Sequence, residues 1–246
     1  MVMEAIKIMS TLLMRLAGPM QSWGTQSRFS IRDTGQEPSK SGVIGLLCAA
    51  LGKPREEKES DEFPSLQTLA SLKMGVRVEQ AGKMQRDFQT AGGAHLQTQR
   101  DSYGVIKADA KSKGTVISDR YYLSDADFLV GLESDNQELL ERLSYALAHP
   151  HWQIFLGRKA FVPSLPVYIP NGLKNMALEE TLRNHPWDPP CQIEKDKHPD
   201  KLQVILDATL EASSQVRQDV PISFLERRFT IRYTRTEYID VPTGGD

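Results

Sequence analysis

The stretch from Leu12 to Gly52 constrains the fold most, because a strand pattern, a polar loop and a helix pattern follow one another within it. Ile6–Leu16 alternates and then becomes continuously apolar, as expected of a central strand with at least one covered face. We expect this strand to end at Gly18-Pro19. From Ser39 onward apolar residues recur every three or four positions, which predicts a helix with Ser39 as its N-cap and Gly52 as its C-terminal stop.

Strand and helix patterns continue to alternate up to about residue 160. Strands are predicted at Met74–Val78 and Tyr121–Leu132, and a helix follows with a capping box of Asp135 and Glu138. A fourth strand is expected near Gln153–Leu156. This order predicts an α+β fold with a ferredoxin-like core and an antiparallel sheet over residues 1–160.

The remainder, residues 161–246, is rich in proline and less regular. It contains a predicted helix at Asn175–Asn184 and predicted strands at Leu202–Ala208 and Arg228–Tyr238. We expect this part to be β-rich and to pack on the core.

The segment of residues 82–119 has a polar texture with few large apolar residues, so it cannot bury much surface of its own. Long loops inside compact domains are usually either functional or disordered. Two interpretations stay open: a solvated surface loop, or a projecting hairpin that becomes ordered on a polyanion. The candidate contact residues of this segment are Arg86, His95, Arg100, Lys107, Lys111 and Lys113.

Charge and cysteine content limit the class of protein. The 246 residues carry a formal net charge of -2 with a pI near 6.2, whereas a domain that binds phosphates alone is usually basic, so any basic surface must be local. The two cysteines, Cys48 and Cys191, indicate neither a disulfide framework nor a metal site. Neither a membrane-spanning run nor a secretion-signal pattern is found, so we expect a cytoplasmic protein without a membrane partner.

Catalytic signatures are missing from the sequence. It contains no phosphate-binding GxxxxGK[ST] loop, no GxSxG elbow, no HExxH and no acidic or histidine cluster at metal-ligand spacing. We therefore expect no cofactor, no metal and no catalytic residues. One enzymatic alternative remains open, because His95, Tyr103 and Lys107 have the chemistry of a metal-independent ribonuclease.

The start of the helix at Ser39 is a candidate anion site. A helix N-terminus offers unpaired N–H groups and a partial positive charge. The residues Ser39, Lys40, Ser41 and Gly42 therefore form a plausible phosphate cradle, with Arg28 and Arg32 on the preceding loop. The alternative is that Ser39 only caps the helix. A second basic turn with Arg158 and Lys159 follows another predicted strand. Trp23 either stacks on a base or fills the core.

These residues carry a family resemblance. The run LMRLAGPMQSWG, followed by PSKSGVIGLLCAALG, resembles the N-terminal signature of the CasD family of CRISPR-associated RAMP proteins. The resemblance continues through RYYLSDADFLVGL, FLGRKAFVPSLP and FLERRFTIR, and it covers most of the chain in the expected order.

The resemblance implies an RRM-like core with a protruding hairpin thumb. It implies a noncatalytic subunit of the type I-E Cascade antiviral surveillance complex, which caps the backbone and holds the 5′ handle of the CRISPR RNA. The implied partners are this RNA, the backbone and large subunits, and target DNA near the thumb. The RNA contacts of the family would fall on Arg28, Arg32, Ser39, Lys40, Arg158 and Lys159.

A related type I-C branch cuts the precursor RNA with a tyrosine and an adjacent Lys-His pair. The only Lys-His dipeptide of this chain is Lys197–His198, far toward the C-terminus, so the match to that nuclease is poor. A metal-independent endoribonuclease that processes CRISPR repeat RNA remains the second hypothesis.

Overall fold

The computed structural model describes residues 9–25, 30–56, 62–92, 105–106, 113–188 and 199–242. Strands and helices within these residues are β1 (Ser10–Gln21), β2 (Ile31–Arg32), α1 (Lys40–Leu51), α2 (Leu66–Ser71), β3 (Lys73–Gln80), β4 (Lys83–Ala91), β5 (Val105–Ile106), β6 (Lys113–Gly114), β7 (Val116–Ser134), α3 (Gln137–Ala148), β8 (Tyr168–Lys174), α4 (Leu178–Asn184), β9 (Lys201–Ala208), β10 (Gln215–Ser223) and β11 (Arg228–Asp240).

One large sheet organises the described part of the chain. Its strand order is β10-β11-β9-β3-β7-β1-β8, and β2 and β4 pair with β7 outside this path. The neighbouring strands run antiparallel except β2, which runs parallel to β7. The prediction of an α+β protein dominated by an antiparallel sheet is therefore confirmed.

The strand β1 is central and has a core on both faces. Leu12, Met14 and Leu16 belong to the larger apolar cluster on one face, whereas Leu13 belongs to a second cluster on the other face. Successive side chains of a strand point to opposite faces, so covering both faces requires a continuous apolar run. This explains why the sequence of β1 does not alternate cleanly.

The helices α1 and α3 cover the first face. The predicted cap of α1 is confirmed, because the Ser39 hydroxyl accepts a hydrogen bond from the Gly42 amide and Gly52 ends the helix. The predicted capping box of α3 is wrong by one residue, since the Asn136 side chain accepts from the Leu139 amide instead. The apolar stripe of α3 is buried as its spacing predicted: Leu139, Leu140, Leu143, Ala146 and Leu147.

The helix α4 covers the second face through Leu178 and Leu182. A Cβ atom on Gly131 would lie 2.6 Å from the Leu178 Cδ1 atom, so the Leu178 side chain occupies the space beside this glycine. The helix begins at Leu178, three residues later than Asn175, where the sequence placed its start.

Other sequence predictions about the strands need correction. The strand β1 does not stop at Gly18-Pro19 but continues to Gln21, with Gly18 opposite Ala126 and Met20 opposite Ser124. No strand forms at residues 153–156, and β8 pairs with β1 in the place expected for that strand. The strand β10, an edge strand interrupted by two register shifts, was not predicted from the sequence.

The expected boundary at residue 160 does not separate two sheets. Both β8 and β9 come after it, yet β8 pairs with β1 and β9 pairs with β3. The C-terminal strands therefore extend the sheet of the N-terminal part, while the division into two domains stays a prediction.

Candidate nucleic-acid interface

The turn of residues 156–161 is fixed to the end of β1. The Ser22 amide donates to the Leu156 carbonyl over 3.1 Å, and the Leu156 amide donates to the Phe161 carbonyl over 2.8 Å. Gly157 has a φ of 96°, and a Cβ atom there would overlap the Ser22 carbonyl oxygen. The local backbone therefore requires glycine, and it places Arg158 at a defined position beside the sheet.

Arg158 is held from two sides. Its Nη2 atom donates to the Arg32 carbonyl over 3.2 Å, and its guanidinium carbon lies 5.5 Å from the centroid of the Phe161 ring. Burial lowers the pKa of Arg158, and the nearby positive charges of Arg120 and Arg32 lower it further. The guanidinium groups are thus close enough to repel one another, and an anion between them would relieve this repulsion.

Two neighbouring strands bring the other arginines to this point. Arg32 on β2 lies opposite Arg120 on β7, which in turn lies opposite Asp87 on β4. Residues directly opposite in a sheet share one face. We call Arg32, Arg120 and Arg158 the basic cluster. The negative charges of Asp87 and Asp33 raise the pKa of Arg158 and so offset part of this repulsion.

Lys159, the second basic residue predicted in this turn, is exposed beside Arg158. Arg120 is not among the site residues predicted from the sequence. Only the register of β2 and β7 shows that it stands next to Arg32. No motif in the sequence signals this pairing.

The start of α1 differs from the predicted phosphate cradle. The Lys40 amide donates to the Asp219 Oδ2 atom over 2.8 Å, so a carboxylate of the same chain lies where a phosphate was expected. The Lys40 ammonium forms an ion pair with Asp207 at 3.0 Å, and the residue is only 5% exposed. Lys40 therefore faces the interior, and Ser39, which is also buried, acts as a cap.

Arg232 completes a buried ionic network at this helix start. It donates through Nε to the Asp219 Oδ1 atom over 2.7 Å and through Nη1 to the Asp207 Oδ1 atom over 2.5 Å. Burial acts to raise the pKa of Asp219, but the hydrogen bonds and charge of Arg232 outweigh it and leave this pKa below its usual value. Ser41 lies at the rim of this helix start, with its hydroxyl 3.4 Å from that of Ser39.

Trp23 fills the core instead of presenting a stacking surface. It is 2% exposed, and its indole N–H donates to the Gln21 side chain over 3.1 Å. Its ring packs on Gly42, where a Cβ atom would lie 2.8 Å from the Trp23 Cε3 atom. Of the two interpretations left open for Trp23, the structure therefore supports the core plug.

The expected projecting segment is described in part. The strand β4 pairs with β7 from Lys83 opposite Ser124 to Ala91 opposite Val116, and we call this pair of strands the ribbon. Arg86 is exposed on the ribbon, with its Nε atom 3.8 Å from the Asp119 carboxylate. The backbone of Lys113 lies in β6. Other predicted residues lie outside the described residues: Arg28, His95, Arg100, Lys107 and Lys111.

The two faces of the ribbon carry different side chains. Alternation along the strands puts Phe88 and Ile31, which flank Asp119 from either side, on the face opposite to Arg120. Phe88 is 59% exposed, and Ile31, Met84 and Ile117 are exposed to a similar degree. Arg86 and Asp119 lie on this face too, so it combines exposed apolar side chains with one ion pair.

Within the described residues, no group of three or more histidine, cysteine, aspartate or glutamate side chains is placed to hold a metal ion. Among the same residues, no helix has both the length and the apolar character needed to span a membrane.

The fold and the basic cluster define a class of protein, an antiparallel-sheet α+β protein that presents arginines beside the end of its central strand. The family model described as CRISPR-associated protein (Cas_Cas5) matches residues 11–235. The chain therefore belongs to this CRISPR-associated family, in agreement with the resemblance found in the sequence.

Relatives and solved structures agree with this assignment. The CRISPR system Cascade subunit CasD of Escherichia coli (strain K12) is 33% identical over 171 residues, which are 65% of this chain and 70% of that relative. A crystal structure of a Cas protein is 41% identical, with a TM-score of 0.68 over 95% of this chain and 98% of that one. A chain of a CRISPR RNA-guided surveillance complex is 32% identical, with a TM-score of 0.72 over 94% of this chain and 91% of that one.

Proposed function

We propose that this chain is a noncatalytic RNA-binding subunit of a Cascade-type surveillance complex, and that the basic cluster holds phosphates of the 5′ handle of the CRISPR RNA. The observation that carries the proposal is the position of Arg158, which the Gly157 turn holds beside Arg32 and Arg120. The names of the related CasD subunit and of the surveillance complex support the assembly part of the proposal.

The topology supports an RRM-like core as part of this proposal. The strands β8-β1-β7-β3 are adjacent in this order, and α1 and α3 come from the connections after β1 and β7. This is the strand order and alternation of a ferredoxin-like unit. Within such a unit, β8 takes the role of the fourth strand.

The two faces of the ribbon suggest how RNA would be held. The face with Arg120 would bind phosphates, and the exposed side chains of Phe88 and Ile117 on the other face would insert between nucleotides. The backbone subunit, the large subunit and target DNA near the ribbon remain the proposed partners. Phosphate contacts supply affinity without requiring a basic chain overall, because only the local charge matters.

Charge reversal tests the basic cluster. We expect Arg158→Glu and Arg120→Glu to weaken binding of a labelled handle RNA at least ten-fold, because each removes an attractive charge and adds a repulsive one. The control is Arg228→Glu, which makes the same change at an exposed residue paired with Glu226 at the far edge of the sheet.

The salt dependence shows whether the cluster arginines bind phosphates. The logarithm of the association constant falls linearly with the logarithm of salt concentration. The steepness of this fall is expected to decrease by about 0.7 for each phosphate of a single strand that a variant no longer neutralises. Unchanged affinity and slope in both cluster variants would contradict the proposal. Copurification of the same variants with RNA and partner subunits checks assembly.

The noncatalytic part needs its own assay. The candidate residues of the ribonuclease hypothesis, His95, Tyr103 and His198, lie outside the described residues. We expect labelled repeat RNA to stay intact when it is incubated with the purified protein in EDTA. Specific cleavage that is abolished when one of these residues is replaced would overturn the noncatalytic assignment.

A further inference from the structure

A cavity of about 430 Å³ opens beside β1 and β8, away from the basic cluster. Its volume lies within the range of about 300–1,000 Å³ that is typical of ligand pockets. Leu129, Pro166, Ile169 and Pro170 form apolar walls, and the ring of Tyr168 also lines the cavity. The lining therefore favours a ligand with flat apolar surfaces.

The charged groups at this cavity are paired with one another. Arg15 forms ion pairs with Asp127 at 2.7 Å and with Asp188 at 2.8 Å. Glu79 accepts from Arg77 through both carboxylate oxygens, at 2.5 Å and 3.1 Å. A charged ligand would have to compete with these pairs, whereas a neutral one would leave them in place.

His185 gives the cavity a neutral polar group. Burial lowers its pKa to about 4, and the positive charges of Arg77, Lys174 and Arg15 act in the same direction. The neutral imidazole ring has one hydrogen-bond donor and one acceptor. Its backbone position is fixed, because its amide donates to the Thr181 carbonyl over 3.0 Å and its own carbonyl accepts from Arg77 over 2.6 Å.

We infer that this cavity binds one unpaired nucleobase of a single-stranded nucleic acid, with the ring held between apolar walls and its edge hydrogen-bonded to His185. A nucleobase is neutral and planar, and its edge carries both donors and acceptors, which matches the lining. Unstacked bases in single-stranded sites are recognised in this way, by side-chain stacking and edge hydrogen bonds. The inference rests on the proposed function and extends it from phosphate contacts to a base contact.

The distance between the two sites sets which nucleotides can be involved. The cavity lies at Arg15 and the Gly157 turn lies at Ser22, seven residues further along the extended chain. At about 3.3 Å per residue these positions are roughly 23 Å apart. Because stacked nucleotides are about 3.4 Å apart, the bound base lies within about seven nucleotides of the phosphates at the basic cluster.

A cavity-filling variant with a matched control provides the test. Leu165 lines the cavity and is 43% exposed, so Leu165→Trp places a large ring in its mouth. Val162 lies three residues earlier, is 47% exposed and does not line the cavity, so Val162→Trp is the control. Affinity is measured for a series of handle RNAs in which each base in turn is replaced by an abasic site.

For the wild type and Val162→Trp we expect one abasic position to weaken binding by about ten-fold or more, as removal of one stacked base does. For Leu165→Trp we expect this position-specific effect to disappear. Wild-type RNA binding without any position-specific effect would overturn the base site and leave the phosphate proposal intact. The base site would also be overturned if Leu165→Trp blocked assembly with partner proteins while its RNA binding kept the abasic pattern of the wild type. The cavity would then hold a protein side chain, and the phosphate proposal would stay intact.

Free nucleosides keep the inference testable if the phosphate proposal fails. Adenosine, guanosine, cytidine and uridine lack phosphate, so their binding, measured by saturation-transfer NMR, does not depend on the basic cluster. We expect Arg158→Glu to retain saturation transfer to at least one nucleoside and Leu165→Trp to lose it. The absence of transfer to all four nucleosides in the wild type would overturn the inference.

Discussion

The start of α1 and the turn at residues 156–161 both have the local features of an anion site, but only the turn is open to a ligand. At the helix start the Asp219 carboxylate accepts from the Lys40 amide, and the Lys40 ammonium pairs with Asp207. At the turn, Arg158 stands among other arginines, with the charges of Asp87 and Asp33 only partly offsetting them.

The difference shows that a helix N-terminus can bind a carboxylate of its own chain as well as an external anion. In this chain the C-terminal strands deliver Asp207 and Asp219 to α1, so the dipole and the unpaired amides serve folding. The turn after residue 156 has no such internal carboxylate in ion-pair contact with Arg158 among the described residues. The same chemistry therefore supports stability in one place and, as we propose, RNA binding in the other.

The largest effect is expected from Asp219→Ala at the helix start. This change leaves the Arg232 guanidinium buried with one carboxylate fewer and the Lys40 amide without its acceptor. Breaking a buried ionic network in this way costs about 3–5 kcal/mol of unfolding free energy. Urea denaturation measures it, with Asp240→Ala, an exposed aspartate at the end of β11, as the control. Equal unfolding midpoints for the two variants would show that the network contributes nothing.

Gly157→Ala tests the turn, again through the unfolding free energy measured by urea denaturation. The φ of 96° and the overlap with the Ser22 carbonyl predict a decrease in unfolding free energy of about 1–3 kcal/mol together with weaker RNA binding, because Arg158 is displaced. The control is Gly45→Ala in α1, where the nearest atom to an added Cβ is the Phe224 Cζ atom at 3.8 Å. That helical position is expected to gain about 0.5–1 kcal/mol. If Gly157→Ala also gained stability, the turn would not be under the constraint described.

A crossed pair of neutral substitutions separates the two roles. Lys40→Met is expected to lower the unfolding free energy by about 1–3 kcal/mol, because Asp207 loses a charged partner, with RNA affinity unchanged. Arg158→Gln is expected to weaken RNA binding by about ten-fold, because one charge-assisted hydrogen bond to a phosphate contributes about 1.5–3 kcal/mol. Little change in the unfolding free energy is expected. Fluorescence anisotropy measures the RNA affinity of both variants, and urea unfolding measures their unfolding free energy. Weaker RNA binding by folded Lys40→Met would restore the helix start as a binding site.

Acid titration gives the smallest expected effect. The pKa of Asp219 is lower in the folded state than in the unfolded chain, so the unfolded chain binds more protons between the two values. Its contribution is therefore complete above about pH 5 and is lost as the pH falls below the unfolded value of about 3.9. The difference in unfolding free energy between the wild type and Asp219→Asn should stay constant from pH 8 to about pH 5 and then shrink. A difference that grew on acidification would contradict the assigned shift.

Much of the fold could be predicted from local patterns. The cap and stop of α1, the stripe of α3 and the strand at Leu202–Ala208 follow from spacing and capping chemistry, which act over a few residues. The strand expected at residues 153–156 was wrong because a short apolar run cannot show whether it finds a partner strand. The missed β10 has two register shifts, which remove the regular alternation that marks a strand.

The sequence by itself determined the family, the α+β class and the candidate residues of two anion sites. Tertiary structure decided which candidates are exposed. It buried Trp23 against Gly42 and paired Lys40 with Asp207, while the register of β2 on β7 brought Arg120 beside Arg32. The physical reason is that capping and periodicity depend on neighbours in the chain, whereas burial and charge pairing depend on residues far away in sequence, such as Asp219 at the start of α1.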